Sequence, residues 1–188
     1  MPTDPSSGSD ELQGGVIGER KRLDGTIYLA TYDPHWPGMF SELSLRVREA
    51  LGDRSLRLEH VGSTSVEGLM AKPIIDMLLV VADSRDEVAY VPDLEAKGFT
   101  LRRREPEWFE HRLFRHLEPR ANLHVFSFGC PEIDRMLTFR DWLRSHAEDR
   151  ALYQAAKQNL AGQQWAYVQD YADAKMEIIR EIMSRANE

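Results

Sequence analysis

The chain has 188 residues, 42% of them hydrophobic and 29% charged, enough bulk for one ordinary globular domain with a sizeable core. A net charge of −7 argues against a general nucleic-acid or membrane binder, because phosphate surfaces would repel it overall. The single cysteine, Cys130, cannot form an internal disulfide, and with no secretory-type leader and no apolar run of about 18 residues the expected compartment is the cytoplasm.

Residues 1–18 are rich in Ser, Gly, Asp and Pro, a composition that cannot repay the entropy of ordering, so they read as a loose tail ahead of one domain over 19–188. A short strand is expected over 26–30, and Asp33-Pro34 then signals a turn or helix start. Phe40, Leu43, Val47 and Leu51 recur at spacings of three and four and give one apolar stripe that ends at Gly52. Trp36 beside that stripe reads as a core plug.

The stretch 58–81, LEHVGSTSVEGLMAKPIIDMLLVV, organises the chain. Leu56, Leu58 and Val61 form a short strand that Gly62-Ser63-Thr64 ends; residues 65–71 allow one or two helical turns, and Lys72-Pro73 breaks them. Residues 74–81 then run as a fully buried strand. Such a strand has no solvent face for a carboxylate, so Asp76 either costs several kcal/mol or faces a cleft where a cation or donor satisfies it. The structural alternative is a buried Asp bracing the turn.

Ser84 can cap a helix bearing Val88, Val91 and Leu94, with Pro92 making its middle irregular and Gly98 stopping it. Three candidate strands follow over 99–104, 108–116 and 122–128. The second places Trp108, Glu110, Arg112, Phe114 and His116 on one face and Phe109, His111, Leu113 and Arg115 on the other, the mixed character of a cleft wall. Arg102, Arg103, Arg104, Arg112, Arg115 and Arg120 concentrate positive charge here, and guanidinium forks suit phosphate. Glu105, Glu107, Glu110 and Glu118 are their alternative partners.

The last third reads as helices. Ile133, Met136, Leu137, Arg140 and Leu143 keep helical spacing, as do Ala151 to Leu160 after a break near residues 145–147, and Tyr171, Ala174, Ile178 and Ile182 form a third stripe. Lys175 and Lys72 are candidate phosphate partners, and Arg140 and Asp141 can reach back toward the sheet.

EHVGST followed by AKPIIDMLLVV, with YDPHW, NLHVF, FRDWLRSH and YADAK in order over about residues 26–183, resembles the GrpB family, a branch of the nucleotidyltransferase superfamily. The fold this resemblance implies is α/β (α+β): a nucleotidyltransferase-like mixed β-sheet with helices packed against it and a helical C-terminal third. It further implies that Gly62, Ser63 and Thr64 approach a triphosphate, with Lys72, Arg104, Arg112, Arg115 and Lys175 as further phosphate partners, and that Asp76 holds magnesium. His124, in the motif where GrpB-type sequences carry histidine, becomes a candidate metal ligand or proton acceptor. One departure stands out: the partner acid expected two residues after Asp76 is Leu78. Glu59 is the candidate to supply the missing carboxylate and His60 a second cleft candidate, although strand neighbours point to opposite faces. The expected function is magnesium-dependent transfer of a nucleotidyl group from ATP or another nucleoside triphosphate to a small acceptor, or adenylylation of its carboxylate. The alternative is a catalytically silent nucleotide- or phosphometabolite-binding protein on the same fold.

Overall fold

The computed structural model describes Ile17 and residues 27–187. The tail expected over 1–18 therefore lies outside the described residues except at Ile17, as do the first positions of the domain. Five strands form one sheet: β1 (Arg57–Val61), β2 (Ile75–Val81), β3 (Thr100–Glu105), β4 (His111–His116) and β5 (Ala121–Ser127), in the order β1-β2-β5-β4-β3. Only β2 and β5 run parallel, so the sheet is mixed.

Alternation along β2 separates the two faces of the sheet. Ile75, Met77, Leu79 and Val81 point to one side with Leu123, Val125 and Phe114, where they meet Leu43, Val47 and Leu51 of helix α1 (Trp36–Leu51) and Leu94 of α2 (Val91–Ala96). Trp36 is part of this core, as its position beside the stripe predicts. On the other side, Leu78, Val80 and Phe126 pack against Ile133 and Leu137 of α3 (Pro131–Ser145). That cover stops short of Asp76, whose face is left polar. The remaining helices are α4 (Ala147–Ala161), α5 (Val168–Ala174) and α6 (Met176–Ala186), and Tyr153 and Ile182 pack with Leu143, Val66 and Leu69 beside the open end.

Several expected elements are altered for local reasons. The strand over 26–30 reduces to one bridge between Ala30 and Ala71, because Pro73, just beyond, offers no N–H to extend the ladder. Residues 65–71 make only a 3-10 turn over Ser63–Ser65, and Gly68 at φ 77° turns the chain out of helix. Ser84 does not cap a helix: it is buried, and its hydroxyl donates to the Glu110 carbonyl at 2.8 Å. Pro92 sits in the first turn of α2, where a missing N–H costs nothing. The strand expected from 108 starts at His111, because Phe109 and Glu110 adopt positive φ in a turn. The break near 145–147 falls at His146, and the third C-terminal stripe divides at Lys175 into α5 and α6.

Candidate functional site

Register sets the site. Val61 lies opposite Asp76, Asp76 opposite Asn122, and Asn122 opposite Arg115, so these residues share one row across the cleft face. The next row runs Glu59, Leu78, His124, Leu113. The Gly62 turn closes directly over the carboxylate: a Cβ on Gly62 would stand 2.5 Å from Asp76 Oδ2, and its φ of 68° is one that side-chain-bearing residues rarely adopt. The turn, the acid and the histidine thus share one site, as the sequence predicts.

Asp76 is partly open, its side chain 31% exposed. Asn122 Nδ2 donates to its Oδ1 at 2.9 Å, and His124 Nε2 stands 3.9 Å from the same oxygen. Burial works against ionisation here, but His124 when it carries both protons, the Asn122 amide and the charge of Lys175 outweigh it and hold the carboxyl below its ordinary range. Behind His124 runs a chain of contacts. His124 Nδ1 meets His111 Nε2 at 3.1 Å, and His111 Nδ1 meets Glu105 Oε2 at 2.7 Å.

Three lysines gather around this acid. Lys157, on the buried stripe of α4 with Tyr153 and Ala161, is 2% exposed and donates to Ser63 Oγ at 3.1 Å and to the Met70 carbonyl. Burial first, and then Lys175, push its ammonium down to about 7. Lys72 is pushed to about 8, by burial and then by the charge of Lys175, with Asp76 opposing. Lys72 and Lys175 lie over the ring of Tyr171 at 5.1 and 4.8 Å from its centroid. Arg115 is held below the usual arginine range, first by loss of water and then by Arg102, Arg103 and Arg120. Among the described residues none of Lys72, Lys157, Lys175, Arg102, Arg115 or Arg120 makes an ion pair with an acid.

Other expected members are placed elsewhere. Arg104 and Arg112 lie opposite each other on the α1 face, and both grip Glu87: Arg104 with two bonds of 2.7 Å, Arg112 with one of 2.7 Å. They do not line the cleft. Thr64 is buried, its hydroxyl shared between His60 Nε2 at 2.9 Å and the Ile74 carbonyl at 3.4 Å, so it turns away from any ligand. His60 stacks on Phe40 on the α1 face, and burial pushes it down to about 4. Glu59 does face the cleft side beside Leu78, but Arg140 and Arg57 hold it at 2.8 and 3.0 Å. It is therefore not a free second carboxylate for a metal.

The residues present do not build a magnesium cage. Magnesium takes oxygen ligands in a near-octahedral set, whereas Asp76 is the single carboxylate here and basic groups surround it. Among the described residues no group of three His, Cys, Asp or Glu is placed to hold a metal ion. What the arrangement can hold is an anion, through lysines and arginines set around an open glycine turn. Lys157, Asn122, His111 and Glu105 escaped the sequence reading as site residues, yet two of them had a signal. Lys157 keeps i, i+4 register with Tyr153, and Asn122 stands two before His124, hence on the same face.

Comparison with known proteins supports the motif reading. The chain is 57% identical over 178 residues, 95% of its length and 91% of the relative's, to a UPF0157 protein of Halalkalibacterium halodurans. A protein named dephospho-CoA kinase from Mycolicibacterium paratuberculosis is 27% identical over 90% of this chain, but only 48% of that protein is covered. The crystal structure of the conserved protein GrpB from Enterococcus faecalis superposes with a TM-score of 0.64 at 27% identity, covering 82% of this chain and 98% of that one. The sequence pattern of the family described as GrpB protein matches residues 26–185, and the chain belongs to that family.

Proposed function

We propose that the cleft binds the polyphosphate of a nucleoside triphosphate such as ATP and that the chain, on a nucleotidyltransferase-like fold, transfers a nucleotidyl group to a small acceptor. The observation that carries this reading is the set of basic side chains around Gly62, Ser63 and Asp76 that, among the described residues, make no ion pair with an acid. A partly buried cationic rim left unanswered within the protein is costly, and a polyanion would offset that cost. The relative named dephospho-CoA kinase, matched over about half its length, agrees with a nucleotide-related role.

In this reading Gly62 and Ser63 approach the phosphates, while Lys72, Lys157, Lys175 and Arg115 neutralise charge on the leaving pyrophosphate. The proton of an acceptor hydroxyl or amine passes to His124. The acceptor's freed lone pair forms a bond to the α-phosphorus, and the bond from that phosphorus to the bridging oxygen breaks, its electron pair leaving on pyrophosphate. A carboxylate acceptor would be adenylylated by the same displacement and would need no base. Magnesium would enter with the triphosphate, with Asp76 as the one carboxylate of the site left open to it. The reaction would take place in the cytoplasm without nucleic acid or membrane; among the described residues no helix is long and apolar enough to cross a membrane.

A second reading, a catalytically silent binder of a nucleotide or phosphometabolite, has its own support. Leu78 occupies the second-acid position at 0% exposure, and Glu59 opposite is tied to Arg140 and Arg57. Thermal unfolding with ATP, tripolyphosphate or adenosine, each with and without magnesium, tests both readings. ATP and tripolyphosphate should raise the melting temperature and adenosine should not. Release of pyrophosphate with a nucleotidylated product selects the enzyme; no response to any phosphate compound rejects both.

A further inference from the structure

We propose that Glu105 and His111 are positioning residues that fix the tautomer of His124, keeping its Nδ1 protonated and its Nε2 a bare proton acceptor turned toward Asp76 and the cleft. The role of that acceptor in taking a substrate proton rests on the group-transfer reading above; the tautomer itself does not.

An ionised carboxylate can only accept, so the 2.7 Å contact between Glu105 Oε2 and His111 Nδ1 requires the hydrogen on that nitrogen. Glu105 is held in its ionised form: burial opposes the charge, but His111 and Arg103 outweigh it. His111 is 1% exposed and enclosed by Trp108 and Phe126, with ring centroids 4.7 and 4.8 Å away, so it remains neutral and carries that one hydrogen alone. Its Nε2 must then accept, and the partner at 3.1 Å, His124 Nδ1, must donate.

A neutral His124 whose hydrogen is committed to Nδ1 has a lone pair on Nε2. That nitrogen stands 3.9 Å from Asp76 Oδ1, too far for a direct hydrogen bond, while Asn122 already donates to the same oxygen at 2.9 Å. Two acceptors facing each other across this gap suit one group placed between them, with roughly 2.8 Å to each. An amine of the acceptor substrate has hydrogens for both, and a hydroxyl gives its one hydrogen to Nε2. Its proton would go to Nε2, and the nearby Asp76 carboxylate would stabilise the imidazolium formed. The arrangement resembles a catalytic histidine held by a buried partner, with a second histidine inserted between base and carboxylate.

The test is the nitrogen-15 spectrum of the histidine side chains in the full-length protein at neutral pH, without ligand. His124 should show a protonated Nδ1 and an unprotonated Nε2. In His111→Phe, which keeps the ring packing but removes the acceptor, the fixed tautomer should be lost and signal for protonated Nε2 should grow. Glu105→Leu, at a half-buried site on a sheet-edge strand, should move His124 the same way through His111 and serves if the first variant does not fold. A protonated Nε2 on neutral His124 in the unmodified protein would overturn the proposal, as would an unchanged His124 spectrum in either folded variant. Neither outcome depends on nucleotide binding, so the failure of one reading is distinguishable from that of the other.

Discussion

The two faces of the sheet treat basic and polar groups in opposite ways. On the α1 face, Arg112 is buried but answered by Glu87 and Glu110, Arg104 shares Glu87, and His60 spends its Nε2 on Thr64. On the cleft face Glu59 is taken by Arg140 and Arg57 and Glu105 by His111, and Lys72, Lys157, Lys175 and Arg115 are left around Asp76. The first arrangement is self-sufficient and contributes to stability. The second is unfinished without a ligand, and unanswered charge of this kind marks functional sites more often than structural ones.

Acid should act on both faces at once and have the largest effect. His60 and His111 are each pushed down to about 4 by burial, one on either face. With the folded values below the unfolded value of 6.5, the unfolded chain binds more protons between those limits, so stability is full above about pH 6.5 and lost as pH falls toward 4. The shift corresponds to on the order of 3 kcal/mol per histidine, read from urea unfolding across that window. In His111→Phe about half of this dependence should vanish; an unchanged dependence would mean that His111 is not buried as a neutral ring.

Removing the acid that serves the α1 face should come next. Glu87→Ala leaves Arg112, 6% exposed, with the longer 3.3 Å contacts to the Glu110 carboxylate and the carbonyls of Glu110 and His111, and should cost about 2 to 3 kcal/mol. Its ATP affinity should stay that of the parent, since neither arginine lines the cleft. A parallel loss of affinity in a folded Glu87→Ala protein would erase the distinction between the faces. Gly62→Ala should cost about 1 to 3 kcal/mol, because the new Cβ meets Asp76 and the φ of 68° is strained. Here, unlike Glu87→Ala, ligand affinity should fall with stability. The smallest effect belongs to Arg104→Gln: an exposed partner of Glu87 should be worth under about 1 kcal/mol and nothing in binding.

Much of this was legible in the chain. The lone Asp76 in an apolar strand, the glycine turn before it and His124 pointed to one site, and Asn122, two residues before His124, belongs to it because a two-residue period fixes which side chains share a face. The arginines were harder to read. Alternation sets Arg112 and Arg115 on opposite faces of their strand, but that Arg112 and Arg104 share the α1 face and are taken by the distant Glu87 follows only from the register. Lys157 was hidden for another reason. Its helix was read for apolar residues, and a lysine on the buried stripe, 94 positions from the Ser63 hydroxyl it reaches, is visible only when that stripe is taken to include it.

The central claim is that the cleft face is completed by a polyphosphate. Titration calorimetry of ATP and of adenosine, at low salt, into the unmodified protein, Lys72→Gln, Lys175→Gln and Arg104→Gln tests it directly. The unmodified protein should bind ATP and not adenosine, each lysine change should weaken ATP about tenfold or more, near 1.4 kcal/mol, and Arg104→Gln should match the parent. Equal ATP affinity in all four folded proteins, or no ATP binding by the unmodified chain, would contradict it.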